Sequence, residues 1–295
     1  MSLKQQLRGT GVALVTPFNK AGNVDFAALE RLIDYVIAGN ANYVVTLGTT
    51  GETPTLSKSE KLEIIACTYA KVAERVPVVV GIGGNNTHEV INDITHFPLD
   101  KATAVLSASP YYSKPSQEGL FQHYQLVAEA SPIPLLLYNV PGRTGRNLSA
   151  ATTIKLAHEV ANIAGIKEAH DDLNQCMQIV KNKPADFLVV SGDDALILPQ
   201  IAIGFEGVIS VAANAWTARF TQMINEALAG NFAKASELHF SMLDGYGLLF
   251  EENNPAGVKA SLHIQGLIEN VLRLPVTPVS EGLYKRMEAF VKTIL

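Results

Sequence analysis

Residues 133–142 read IPLLLYNVPG. Three leucines in a row leave neither face of an extended chain polar, so a strand built from them must be covered on both sides. The alternation of apolar and polar residues that marks a sheet with one wet face is missing. Seven other stretches share the pattern: GVALVTPF (11–18), YVVTLGTTGE (43–52), VPVVVGIGG (76–84), TAVLSASPYY (103–112), IAGIKEA (163–169), FLVVSGDD (187–194) and GVISVAAN (207–214). Between them lie segments with helical period, among them 25–40, 57–75, 117–130 and 149–162. The second of these opens with the capping-box spacing Ser57-x-x-Glu60. Strand starts recur at roughly 20 to 33 residues, the length of a βα unit with a right-handed crossover. Eight such units close a (β/α)8 TIM barrel. A doubly wound open sheet usually has fewer units and wants a nucleotide fingerprint at its first turn. GIGGNN (81–86) lacks the third glycine of that fingerprint, which also argues against a nicotinamide cofactor.

The segment 215–230 suffices for the helix that completes the eighth unit. Residues 1–230 are therefore expected to form the barrel with the functional site. Residues 231–295 then form a carboxy-terminal helical subdomain, with Pro255, Pro275 and Pro278 as breaks. The apolar segment 235–250 faces either the barrel or a partner subunit.

Composition narrows the function classes. The chain has 295 residues, 47% hydrophobic and 17% charged, enough for a large core. Its net charge is −5, and no Lys/Arg stripe runs through it, so nucleic acid is not the expected partner. The two cysteines, Cys67 and Cys176, stand far apart in neither a CxxC nor a zinc-ligand spacing. MSLKQQLRG at the amino terminus lacks the apolar core of a signal peptide, and no run approaches the ~18 residues that span a bilayer. A cytoplasmic protein with no membrane partner is expected.

In a barrel of this kind the active site lies at the carboxyl ends of the strands. Those ends here hold GTTGE (48–52), SPYYSKP (109–115), YNVPGRTG (138–145), KEAHDD (167–172) and SGDD (191–194), residues that a stabilising core does not need. Lys167 ends an apolar run, where desolvation disfavours the ammonium form. A neutral amine there attacks a ketone to form a Schiff base, whose protonated form is an electron sink. The other reading pairs Lys167 with Glu168 or Asp171, or lets it snorkel to the rim; the residues alone leave both open. Tyr138, one strand earlier, is either a proton carrier for such an intermediate or a packed aromatic. Arg143 offers a planar guanidinium to a carboxylate, or is an ordinary loop arginine. GTTGE suits an anion but is no P-loop, since no Lys-Ser/Thr follows. The seven histidines form no HxH or HExxH pair, so metal chemistry is not expected; EAHDD at most supplies one or two ligands.

Taken in order, GTTGE, SPYY, YNVPGRTG and GIKEA resemble the pyruvate-dependent class I aldolases, the family of dihydrodipicolinate synthase and N-acetylneuraminate lyase. The resemblance spans the chain from GVALVTPF to the helical tail. It implies a Schiff base between Lys167 and pyruvate, with Tyr138 as proton donor and acceptor. Thr49 and Tyr112 complete its relay, Tyr112 reaching in from a neighbouring subunit of a homotetramer, a dimer of dimers. Thr50 holds the pyruvate carboxylate and Ile209 lines that pocket. Arg143 binds the carboxylate of a second substrate. An arginine in this turn suits L-aspartate 4-semialdehyde better than a polyhydroxylated sugar acid, where the lyases carry serine or leucine. Acting on a sugar acid such as N-acetylneuraminate is the alternative. The implied reaction uses no metal or organic cofactor.

The chain departs from the family pattern twice. His170-Asp171 follows GIKEA where Ser/Thr-Gly is usual. Asn85 and Glu89 match the family's lysine-inhibition site, yet Lys58 and Lys61 stand where lysine-sensitive members often carry histidine. Two added cations repel a cationic ligand, so weak or absent inhibition by lysine is expected.

Overall fold

The computed structural model describes residues 2–294. Eight strands follow one another in chain order around a closed barrel. They are β1 (Gly9–Ala13), β2 (Tyr43–Thr46), β3 (Val78–Gly81), β4 (Ala104–Ala108), β5 (Leu135–Asn139), β6 (Ile163–Glu168), β7 (Leu188–Ser191) and β8 (Gly207–Ser210). β1 runs parallel to β2, and β3 through β8 run parallel each to the next. Helices fill the intervals: α1 (Leu3–Gln6), α2 (Phe26–Ala38), α3 (Lys58–Val72), α4 (Thr87–His96), α5 (Gln117–Ala130), α6 (Pro141–Thr144), α7 (Ala150–Glu159), α8 (Leu173–Asn182), α9 (Ile197–Ala202) and α10 (Thr217–Leu228). Three more follow among the described residues: α11 (Phe232–Phe250), α12 (Ala256–Ile264) and α13 (Glu281–Ile294).

Each apolar run holds one strand, and every residue of β2, β3, β7 and β8 is buried, as continuous apolarity requires. β1 begins at Gly9, ahead of the run that marks it, because the Asn42 side chain accepts from Thr10 N–H and extends the pairing. Helix starts follow their caps. Ser57 and Glu60 close the expected capping box on α3, while Ser116, Ser149 and Asp172 cap α5, α7 and α8. Among the described residues no helix is long and apolar enough to cross a membrane.

By compactness the chain falls into two units. One comprises the residues up to Arg8 with Pro77–Ile209; the other comprises Gly9–Val76 with Ser210 onward. The expected boundary at residues 230 and 231 lies between two consecutive helices of the second unit, α10 and α11.

In the first unit the strand register sorts side chains into rows. Ala108, Tyr138 and Lys167 stand opposite one another, with Val190 next to Lys167. One residue on, Asn139, Glu168 and Ser191 form the next row, and the period of two turns it to the other face of the strands. Gln175 of α8 donates to Glu168, so the Asn139 row faces the helices and the Tyr138–Lys167 row faces the barrel interior. In the second unit Gly11 is paired with Tyr43, and a Cβ on Gly11 would lie 2.2 Å from the buried Tyr43 ring. Glycine at that position is what lets the ring sit across β1.

Candidate active site

Lys167 lies near the carboxyl end of β6, 5% exposed, with its Nζ 4.3 Å from the centroid of the Tyr138 ring on β5. Among the described residues its ammonium makes no hydrogen bond and no ion pair. Of the two partners the sequence offered, Glu168 faces the opposite side of the strand, towards α8. Asp171 is 88% exposed at its side chain and lies beside His170. The ion-pair reading of Lys167 therefore fails, for the period-two reason that adjacent residues of a strand cannot share a face. Snorkelling fails too, since the side chain is buried.

Glycine makes room for this amine. A Cβ at Gly192, just past β7, would stand 2.9 Å from Lys167 Cε and 2.6 Å from Ala169 Cβ. The sequence shows Gly192 only as part of SGDD, with nothing to tie it to Lys167.

Behind Lys167 the Glu168 carboxylate is fully buried but well supplied with donors. Asn139 Nδ2 lies 2.9 and 3.1 Å from its two oxygens, Gln175 Nε2 donates at 3.1 Å, and His170 N–H at 2.8 Å. Burial nevertheless pushes its pKa up to about 7, against the pull of those hydrogen bonds. Asn139 also accepts from Leu148 N–H at 2.9 Å and donates to Asn147. One asparagine thus fastens the Tyr138 strand to the Lys167 strand and to the segment after YNVPGRTG. His170 is turned inward on its own loop, its Nδ1 accepting from Asp172 N–H at 2.9 Å.

Arg143 is exposed on the short turn α6, which Gly145 ends in the left-handed conformation, φ 68°. Arg146 donates to Lys114 O at 3.0 Å, tying this turn to the loop that carries Tyr112. Tyr112 is 91% exposed at φ 66°, and within the single chain it is not brought to Tyr138. Asn85 is exposed and accepts from Tyr111 N–H at 2.8 Å; Glu89 is exposed in the first turn of α4.

In the second unit β2 runs into a single turn of 3-10 helix, Thr49–Gly51. Thr49 is half-buried, while Thr50 is 2% exposed and its hydroxyl accepts from Asn254 Nδ2 at 3.1 Å. Ile209 on β8 is buried. Among the described residues no three of His, Cys, Asp and Glu come together as a metal ion would need.

The model of the dihydrodipicolinate synthetase family matches residues 6–294. The chain belongs to that family. It is 47% identical over 290 residues to 4-hydroxy-tetrahydrodipicolinate synthase of Flavobacterium psychrophilum, covering 98% of this chain and 99% of that one. Among solved structures, dihydrodipicolinate synthase of Aquifex aeolicus superposes with a TM-score of 0.94 at 38% identity, over 97% of each chain. The enzyme from Cyanidioschyzon merolae with lysine bound gives 0.95 at 34% identity, over all of this chain and 99% of that one. Family membership accounts for the barrel.

Proposed function

We propose that this protein condenses pyruvate with L-aspartate 4-semialdehyde to give 4-hydroxy-tetrahydrodipicolinate. The observation that carries the reading is Lys167, a buried amine set against the ring of Tyr138, with no ionic partner among the described residues. An amine left without a carboxylate is available to a ketone.

In the proposed sequence Lys167 Nζ attacks the pyruvate carbonyl, and water leaves as the protonated imine forms. The imine draws the electrons of a methyl C–H bond, a proton departs and an enamine results. The enamine carbon attacks the aldehyde, and its oxygen takes up a proton. The amino group of the second substrate then attacks the imine carbon, closing the ring and releasing Lys167. Tyr138 moves the protons on and off, with Thr49 and Tyr112 as its relay. The exposure of Tyr112 fits a residue supplied to a second copy, and a homotetramer built from dimers is the proposed assembly. Thr50 receives the pyruvate carboxylate, Ile209 lines that pocket and Arg143 receives the carboxylate of the aldehyde. The cytoplasm is the proposed location, and the scheme calls on no metal or organic cofactor. Lysine is proposed to inhibit weakly at the family site of Asn85 and Glu89, because Lys58 and Lys61 add positive charge.

Incubation with pyruvate and borohydride, followed by peptide mass spectrometry, tests the chemistry. A reduced pyruvyl adduct on Lys167 is expected, and its absence would overturn the proposal. Coupled assays then compare the semialdehyde with N-acetylneuraminate; turnover of the sugar acid alone would reassign the substrate.

A further inference from the structure

The GTTGE turn is held from behind by a buried ion pair. Glu52 is in the left-handed conformation, φ 52°, which costs a residue with a Cβ roughly 1–2 kcal/mol. Such a conformation persists only where its surroundings over-determine it. Here they do. The Glu52 side chain is 2% exposed and pairs with Lys259 Nζ of α12, itself fully buried. The second carboxylate oxygen accepts from Arg273 N–H at 3.0 Å. Lys259 also donates to Val271 O at 3.0 Å and lies 4.1 Å from the centroid of the Phe18 ring. The Arg273 guanidinium packs on the same ring, donates to Thr55 O and Gly22 O, and forks onto Glu60. Two residues before Glu52, the Thr50 hydroxyl takes its hydrogen bond from Asn254. Residues 254–273 therefore grip the turn at both Thr50 and Glu52, while Thr16 holds Gly51 O at 2.7 Å.

Burying two opposite charges is a poor way to gain stability, since desolvation offsets most of the attraction. What such a pair does supply is one geometry: a carboxylate with fixed partners cannot let its backbone drift. We infer that Glu52 and Lys259 are positioning residues, whose ion pair fixes the Thr49–Gly51 backbone so that Thr50 is pre-set to receive the pyruvate carboxylate. This rests on the assignment of Thr50 made above and goes beyond it, because neither charge touches substrate.

The test is kinetic, on the full chain. Glu52→Gln and Lys259→Met each raise the KM for pyruvate roughly tenfold or more, with the KM for the semialdehyde unchanged. The double variant removes both charges at nearly constant volume, which keeps the protein folded, and is no worse than either single one because the two residues act as a unit. Lys259→Arg, which keeps the charge, restores part of the loss. A folded double variant with the wild-type KM for pyruvate would overturn the inference. Thr50→Ala separates the two claims. If it leaves the pyruvate KM unchanged, the carboxylate assignment fails. If it raises that KM while Glu52→Gln does not, the positioning role alone fails.

Discussion

Lys167, Gly192 and Arg143 each make a prediction at the level of a single side chain. Gly192→Ala puts a methyl group 2.9 Å from Lys167 Cε and 2.6 Å from Ala169 Cβ, so β6 or the amine must shift. A displacement of about 1 Å costs roughly a hundredfold in rate, and trapping of the pyruvate adduct should slow by that order. A folded Gly192→Ala protein trapping pyruvate at the wild-type rate would show that the amine tolerates the crowding. Arg143→Ala should lower kcat/KM for the semialdehyde roughly ten- to hundredfold, the value of one charge-assisted pair, while pyruvate trapping is unaffected. Equal losses in both assays would mean that Arg143 supports the turn and not the substrate. Lys167 was legible in the sequence because a cation at the end of an apolar run is costly without a purpose. Gly192 was not, because its meaning lies in how close β7 comes to β6.

Glu168 acts through the pair of strands β5 and β6, and its effect is on stability. Its folded pKa of about 7 lies above the ordinary 4.5, so the folded state holds the proton more tightly than the unfolded chain. The associated stabilisation is complete below about pH 4.5 and is lost as pH rises through 7. The difference between the two values corresponds to about 3 kcal/mol. Urea midpoints at pH 5 and pH 7.5 should show a decline in the wild type that is much smaller in Glu168→Gln. Parallel slopes in the two proteins would remove Glu168 as the cause. The strands and the caps that start their intervening helices could be read from apolar continuity and from Ser57-x-x-Glu60, both local signals. The Asn139–Glu168–Gln175 network could not, because strand register decides which face each residue takes.

At the level of the whole molecule the proposed sharing of Tyr112 gives a complementation test. Chains carrying Lys167→Ala and chains carrying Tyr112→Phe are each weak alone. In a mixed dimer one site keeps both intact groups. Random exchange of equal amounts should restore about a quarter of wild-type activity, given a two-fold interface. A mixture no more active than its better component would place the relay within one chain. Added lysine, in turn, should leave the rate unchanged up to millimolar concentrations, and a sub-millimolar inhibition constant would show that Lys58 and Lys61 do not repel it. The eightfold repeat of βα units was plain in the sequence. The coupling of Glu52 to Lys259 and Arg273 was not, since nothing local to GTTGE points to residues so far along the chain.

That separation has a consequence during synthesis. Chains emerge from the ribosome amino terminus first, and early segments usually fold before late ones. Thr50 is made 204 residues ahead of Asn254, and Glu52 221 residues ahead of Arg273. A nascent chain that already exposes all eight strands still has an unfastened turn, with Glu52 a carboxylate awaiting its cation. Competence to bind pyruvate should therefore arrive only once residues 254–273 have left the exit tunnel, so a chain released before then carries the amine of Lys167 but no finished grip on its substrate.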